Sequence, residues 1–290
     1  MVLSALVFGL VLGGTYALIA LGLSLQYGIS RIMNLAYGEA IIAAAFATFL
    51  MLSVGGVAPL WALIAIVPAG YAISWVIFAL MMRPLMRRKG GAGRLEVDSI
   101  LATFGLLFVV QGVMLVVFGS NFTSYSYLDS GVDVFGTTVA LNRLIAFALS
   151  LLIGGGMYLL LTHSRWGLTL RAVALAPASA PLVGLDVNRV ARIGFALGGA
   201  LAATGGVMIS MYQTFSATDG VIFTMKALVI VIMGGVGNLL GALIAGLLLG
   251  LIETFVAAFI DPGLTLAATY ALFLGILLWR PEGLFGQRDG

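Results

Sequence analysis

The chain has 290 residues, 62% of them hydrophobic and only 9% charged, with a mean hydropathy of +1.17. This composition excludes a soluble core, and apolar runs that are continuous rather than alternating exclude a closed β-barrel. Fourteen Lys and Arg against eleven Asp and Glu give a net charge of +3, which reads as membrane orientation and not nucleic-acid binding, and the lack of cysteine beside a single histidine excludes thiol chemistry, disulfides and Cys/His metal sites.

In chain order, the pattern predicts spans at roughly 3–27, 34–54, 58–82, 98–118, 139–161, 191–213, 222–235, 238–259 and 264–280. The first begins without a basic leader and runs past a signal-peptide core, so it reads as a retained span. It carries Gly9 and Gly13, a GxxxG pair that lets helix backbones approach. The second opens on the polar patch Asn34-Leu35-Ala36-Tyr37-Gly38-Glu39, where a discontinuity is possible. The seventh is short and ends in Gly234-Gly235-Val236-Gly237-Asn238, either a tight turn or a break within the membrane. The count is therefore eight or nine, in one all-α transmembrane domain covering 1–290. In the eighth span, Ala242, Gly246 and Gly250 form a small-residue ladder, and Glu253 lies on the same face, so it points at protein or a cavity and not at lipid. Asn34-Leu35 and Asn238-Leu239 each precede an Ala/Gly/Leu helix, a hint of duplication.

Basic residues set the orientation. Arg83, Arg87, Arg88, Lys89 and Arg94 share one connection, Arg165, Arg171, Arg189 and Arg192 another, and Arg280 and Arg288 close the chain. The Lys/Arg bias makes these three regions cytoplasmic. The opposite loops carry Asp129, Asp133, Asp219 and Asp261, with Arg143 as their base. Nine spans put the N-terminus outside and the C-terminus inside; eight put both inside.

The connection at about 162–191 is too long for a minimal turn and too apolar for a solvated tail. Ser164 can cap a short helix starting at Arg165, Pro177 and Pro181 break or restart it, and Asp186 can cap the next long helix. Trp166, Leu168 and Leu170 are predicted to be buried and Arg165 and Arg171 exposed. The segment reads either as an amphipathic surface helix or as a docking ridge for a soluble partner. His163, at its start, reads as an interface residue.

Three charges fall within the spans: Glu39, Lys226 and Glu253. A charge at bilayer depth costs at least ~2.5–3.5 kcal/mol, so it normally faces protein or a water-filled path. Each can line a translocation path or fix helix packing. Lys226, near a helix end, can also snorkel to the interface. A Glu–Lys pair is possible with either glutamate. Asn34, Tyr37 and Gln111 are weaker candidates for the same cavity. Neither lysine precedes Ser or Thr (Lys89-Gly90, Lys226-Ala227), so there is no P-loop, and no Ser-His-Asp or HExxH constellation is present. The chain reads as a transport subunit and not an enzyme.

Ser164-Arg165-Trp166-Gly167-Leu168-Thr169-Leu170-Arg171-Ala172-Val173, followed by Gly184-Leu185-Asp186-Val187, resembles the coupling loop of ABC importer permeases, in particular those for branched-chain amino acids and urea. Met33 to Glu39 resembles that family's first-half signature, and Thr103-Phe104-Gly105 a small-residue motif. Lys226-Ala227 with Gly234 to Asn238 and Gly241 resembles its second-half signature, and Arg280 to Gly286 its tail. The resemblance spans nearly the whole chain. It departs at Ala174 to Ser179, where the family usually carries acidic or polar residues. The resemblance implies a multi-pass subunit of the bacterial inner membrane importing branched-chain or other hydrophobic amino acids. It implies two separate ATP-binding subunits that hold ATP and Mg, a second related permease, and an external substrate-binding protein, with no cofactor in this chain. It also implies that Arg165, Gly167, Arg171 and Gly184 belong to the ATPase-coupling loop; Glu39, Asn34, Tyr37, Lys226 and Glu253 stand as candidates for the path on the argument from buried polarity above. A urea or short-amide permease and an ion-coupled secondary transporter are the alternatives.

Overall fold

The computed structural model describes residues 2–86, 92–134 and 136–286. Arg87, Arg88, Lys89 and Arg288 lie outside the described residues. The chain is all-α apart from one small hairpin. The helices are α1 (Val2–Ser30), α2 (Tyr37–Ser53), α3 (Pro59–Ile77), α4 (Arg83–Met86), α5 (Ala92–Phe118), α6 (Leu141–His163), α7 (Arg165–Leu175), α8 (Val187–Tyr212), α9 (Gly220–Gly234), α10 (Leu239–Phe259) and α11 (Thr265–Trp279). A π-helical turn, Phe78–Met82, joins α3 to α4 in one continuous rod. Among the described residues, seven helical segments are long and apolar enough to cross a membrane, the last being Pro262–Trp279, in which a 3₁₀ turn runs into α11. Two shorter apolar helices, α2 with 17 residues and α9 with 15, are those that open or close on the polar and glycine-rich patches. Fifteen residues reach only about 22 Å, short of a ~30 Å hydrocarbon layer.

The core of the bundle is α1 packed against α10 and α8. Small residues make this possible. A Cβ on Gly13 would lie 2.8 Å from the Cα of Leu247, and one on Gly9 would lie 2.9 Å from the Cα of Leu251; a side chain at Gly250 would overlap the backbone of Gly13. The GxxxG of α1 thus meets the small-residue ladder of α10 directly. Because lipid is as apolar as leucine, this close packing, and not hydrophobic burial, holds the two helices together.

Both short helices start inside the bundle. The Tyr37 hydroxyl at the head of α2 donates to the carbonyl of Ile19, in the middle of α1, at 2.8 Å. The Gly38 amide donates to Thr224 Oγ1 of α9 at 2.8 Å, and that hydroxyl donates to the Leu35 carbonyl at 3.1 Å. The N-terminal turns of α2 and α9 therefore meet. The non-helical backbone leading to α2 needs partners, since none is supplied by lipid. It finds them on α5: Met33 N–H donates to Ser99 Oγ (3.2 Å), Leu35 N–H to Thr103 Oγ1 (3.0 Å), and Thr103 Oγ1 donates to the Met33 carbonyl (3.1 Å). The run leading to α9 is held by an antiparallel bridge between Thr123 and Phe215.

Strands β1 (Gly131–Val134) and β2 (Thr137–Ala140) pair antiparallel, Gly131 opposite Ala140 and Val134 opposite Thr137. This hairpin was not expected from the sequence: four-residue strands are too short for their alternation to stand out.

Candidate functional site

Glu253 is the centre of a buried polar cluster. Lys226 Nζ lies 2.9 Å from its Oε2, the Tyr16 hydroxyl donates to the same oxygen at 2.9 Å, and Lys226 also donates to the Tyr16 oxygen at 2.6 Å. Thr269 Oγ1 donates to Oε1 at 2.7 Å. The side chains of Lys226 and Glu253 are 14% and 4% exposed. Both oxygens of the carboxylate, which α10 carries, are satisfied by donors from three other helices (α1, α9 and α11). Lys226 does not snorkel; it closes the pair, and its glutamate is Glu253. The carboxylate also lines a cavity of about 370 Å³ between α1, α10 and the ends of α6 and α8.

Glu39 is placed differently. It is fully buried, and among the described residues neither carboxyl oxygen has a hydrogen-bond partner. It presses on Gly220, the first residue of α9, where any side chain would overlap the carboxyl group. It lines none of the cavities described here. Asn34 and Tyr37 line a separate, mostly apolar cavity of about 210 Å³ bounded by α1, α2, α3, α5 and α8. Asn34 also works on the backbone: its Oδ1 accepts from the Ala36 amide at 3.1 Å and its Nδ2 donates to Gln26 at 3.0 Å, while Gln26 donates to the Phe195 carbonyl at 3.0 Å. The five candidates therefore fall into three places and not one. Gln111 lines neither cavity. Sequence reasoning missed Tyr16, Thr224 and Thr269. Their hydroxyls are unremarkable in an apolar run, and only the meeting of distant helices gives them partners.

The segment after α6 forms as its capping residues require. Ser164 Oγ accepts from the Gly167 amide at 3.0 Å and starts α7; Asp186 Oδ1 accepts from the Arg189 amide at 3.2 Å and starts α8. Between them a 3₁₀ turn, Ala180–Val183, ends at Gly184 with φ +79°. Gly167 is buried, and a Cβ there would overlap the Leu161 carbonyl, so glycine lets α7 fold back onto the end of α6. The Arg171 guanidinium donates to the Thr162 carbonyl at 2.8 Å, tying the two helices again. Leu170 and Val173 are buried and Trp166 is half-buried. Leu168 corrects the sequence expectation: it is 62% exposed. Leu175, Leu182 and Val183 are exposed as well.

Residues 5–279 match the family model described as the permease component of branched-chain amino acid transport systems. The chain belongs to that permease family. It is similar to the high-affinity branched-chain amino acid transport system permease protein LivH of Escherichia coli K12, 27% identical over 299 residues, covering 97% of this chain and 94% of LivH. It is also similar to the corresponding permease protein BraD of Pseudomonas aeruginosa, 28% identical over 298 residues and covering 99% and 96%. The probable branched-chain amino acid transport permease LivH of Methanocaldococcus jannaschii is 27% identical over 246 residues, covering 84% and 77%. This permease is thus a multi-pass protein of the inner membrane.

Proposed function

We propose that the chain is one permease subunit of an ATP-driven importer of branched-chain or other hydrophobic amino acids. The observation that carries this reading is the meeting of α2 and α9 inside the bundle over an unpartnered Glu39, within a chain matched along nearly its whole length by the permease family. Broken helices that end at membrane depth mark the places where transport proteins open. Parting α2 from α9 would expose Glu39; α2 also carries Tyr37 of the apolar cavity, and α9 carries Lys226 of the ion pair. Counting each short helix with its extended arm gives nine passes. The end bearing α7 and most of the basic residues is the cytoplasmic end, and the start of α1 lies outside.

ATP and Mg belong to two partner subunits in this reading, since the chain has no P-loop. A second related permease completes the membrane unit and a binding protein delivers substrate outside. The exposed Leu168, Leu175, Leu182 and Val183, with exposed Arg165, are what an ATPase would grip, and Arg171 and Gly167 pass its motion to α6. The test is gentle purification from the native membrane followed by reconstitution. Co-purification of Walker-motif ATPases, and leucine uptake that needs ATP and the binding protein, is the expected result. Uptake by the chain alone along an ion gradient would overturn the reading.

A further inference from the structure

We propose that the outer end of the bundle carries a receiving site for the charged end of an α-amino acid, with Arg143 taking the carboxylate and Asp129 the ammonium. This rests on the importer reading above and adds a place where substrate first meets the permease. Twelve of the fourteen basic residues lie in the cytoplasmic connections and Lys226 is within the bundle, which leaves Arg143 as the basic residue of the outer end. It stacks over the Phe8 ring at 5.0 Å, and among the described residues no carboxylate pairs with it.

Asp129 lines the same cavity of about 590 Å³ and is exposed and equally free of an ion pair among the described residues. Its neighbours are strapped to the head of α6: the Leu128 carbonyl accepts from the Asn142 amide at 3.1 Å and the Ser130 carbonyl from the Leu141 amide at 2.9 Å. Leu128 itself is held left-handed, φ +50°, a conformation leucine seldom adopts. The structure thus places two opposite charges on one cavity with no ion pair between them. An α-amino acid brings a carboxylate and an ammonium on one carbon, and a guanidinium is suited to bidentate carboxylate recognition.

The adjoining cavity of about 370 Å³ supplies the rest. It shares Phe8, Arg143, Tyr212 and Gln213 with the first; its further wall has an apolar side, Val11, Leu12 and Ala257, and a polar side, Thr254, Thr265 and the ion-paired Glu253. A branched aliphatic side chain fits against that wall while the charged end stays at Arg143 and Asp129. Cavities of these sizes fall in the range of small-ligand sites.

The experiment uses the complete importer in phosphatidylcholine vesicles, with L-leucine as probe. Arg143→Gln and Asp129→Asn should each lower the kcat of uptake about ten- to hundred-fold, the loss of one charge-assisted contact, while KM for the loaded binding protein stays within about two-fold. Arg143→Lys should recover part of the rate. In the unmodified importer without binding protein, millimolar L-leucine should slow modification of Arg143 by a membrane-impermeant dicarbonyl reagent, and L-leucinamide, which has no carboxylate, should not. This second measurement holds even if a variant fails to assemble. A raised KM with unchanged kcat would mean that Arg143 docks the binding protein, and unchanged kinetics would leave it a lipid-headgroup or packing residue; either overturns the site. Equal protection by leucine and leucinamide overturns it as well. No leucine uptake by the unmodified importer would sink the importer reading together with the site, whereas normal uptake with indifferent variants sinks only the site.

Discussion

Lys226 and Glu253 show what a single charge needs at membrane depth. The pair is sealed by Tyr16 and Thr269, so removing one member leaves the other buried without its counter-charge. Lys226→Met should destabilise the chain by about 3–5 kcal/mol, and the double variant Lys226→Met/Glu253→Met should recover much of that. Thermal unfolding in nanodiscs measures both; a double variant as unstable as the sum of the singles would show that the two residues do not act as a pair. At this scale the sequence was half legible. The small-residue face of its helix already turned Glu253 inward. The choice of Glu253 over Glu39 as partner of Lys226 was not legible, because it depends on α9 starting inside the bundle, which brings Lys226 beside Tyr16 while Gly220 takes up the space at Glu39. Leu168 was misjudged for a related reason. Amphipathic spacing tells which residues share a face but not that a leucine on that face is left without cover.

Among the elements, α1 and α10 make the most extensive contact, and glycine permits it. Gly13→Leu would put a side chain where the Leu247 backbone now stands. The expected loss is about 1–3 kcal/mol or more of stability, from forced separation of the two helices. Gly275, whose Cβ would meet nothing within 4 Å, serves as the control, since Gly275→Ala should be tolerated. Comparable melting of the two variants would remove the special role of the α1–α10 seam. The α7 region gives a functional counterpart. Gly184 sits left-handed with open space around it, so Gly184→Val costs backbone strain and no collision. Both Gly184→Val and Arg171→Ala should lower leucine uptake per ATP hydrolysed several-fold while the assembled complex is recovered in normal yield; unchanged uptake per ATP in both would remove the coupling role of this segment. The capped starts of α7 and α8 were readable from Ser164 and Asp186, because a cap is a local bond. The inner starts of α2 and α9 were readable only as polar and glycine-rich interruptions. What holds them, Ser99 and Thr103 of α5 and Thr224 of α9, comes from far along the chain.

For the whole molecule the decisive property is which end faces which compartment. Arg31 at the end of α1, Arg94 at the start of α5, α7, and Arg280 after α11 all lie at one end of the bundle, while the β-hairpin, the Thr123–Phe215 bridge and the start of α6 lie at the other. Charge bias places the first end in the cytoplasm. The absence of cysteine makes this directly measurable, since any introduced cysteine is the only thiol in the chain. Leu175 and Leu182 are 81% and 87% exposed at one end; Phe122 is 76% exposed at the other. In intact cells a membrane-impermeant maleimide should label Phe122→Cys and spare Leu175→Cys and Leu182→Cys, and inside-out vesicles made without the ATPase subunits should reverse the pattern. A cysteine at Val54, 84% exposed in the turn after α2, tests the short helices specifically. Labelling from outside means that the extended arm and α2 together complete a pass, so that nine crossings separate the start of α1 from the end of α11. Labelling from inside would turn α2 back to the side on which its arm began, and the nine-pass reading would fail while the orientation of α7 stood.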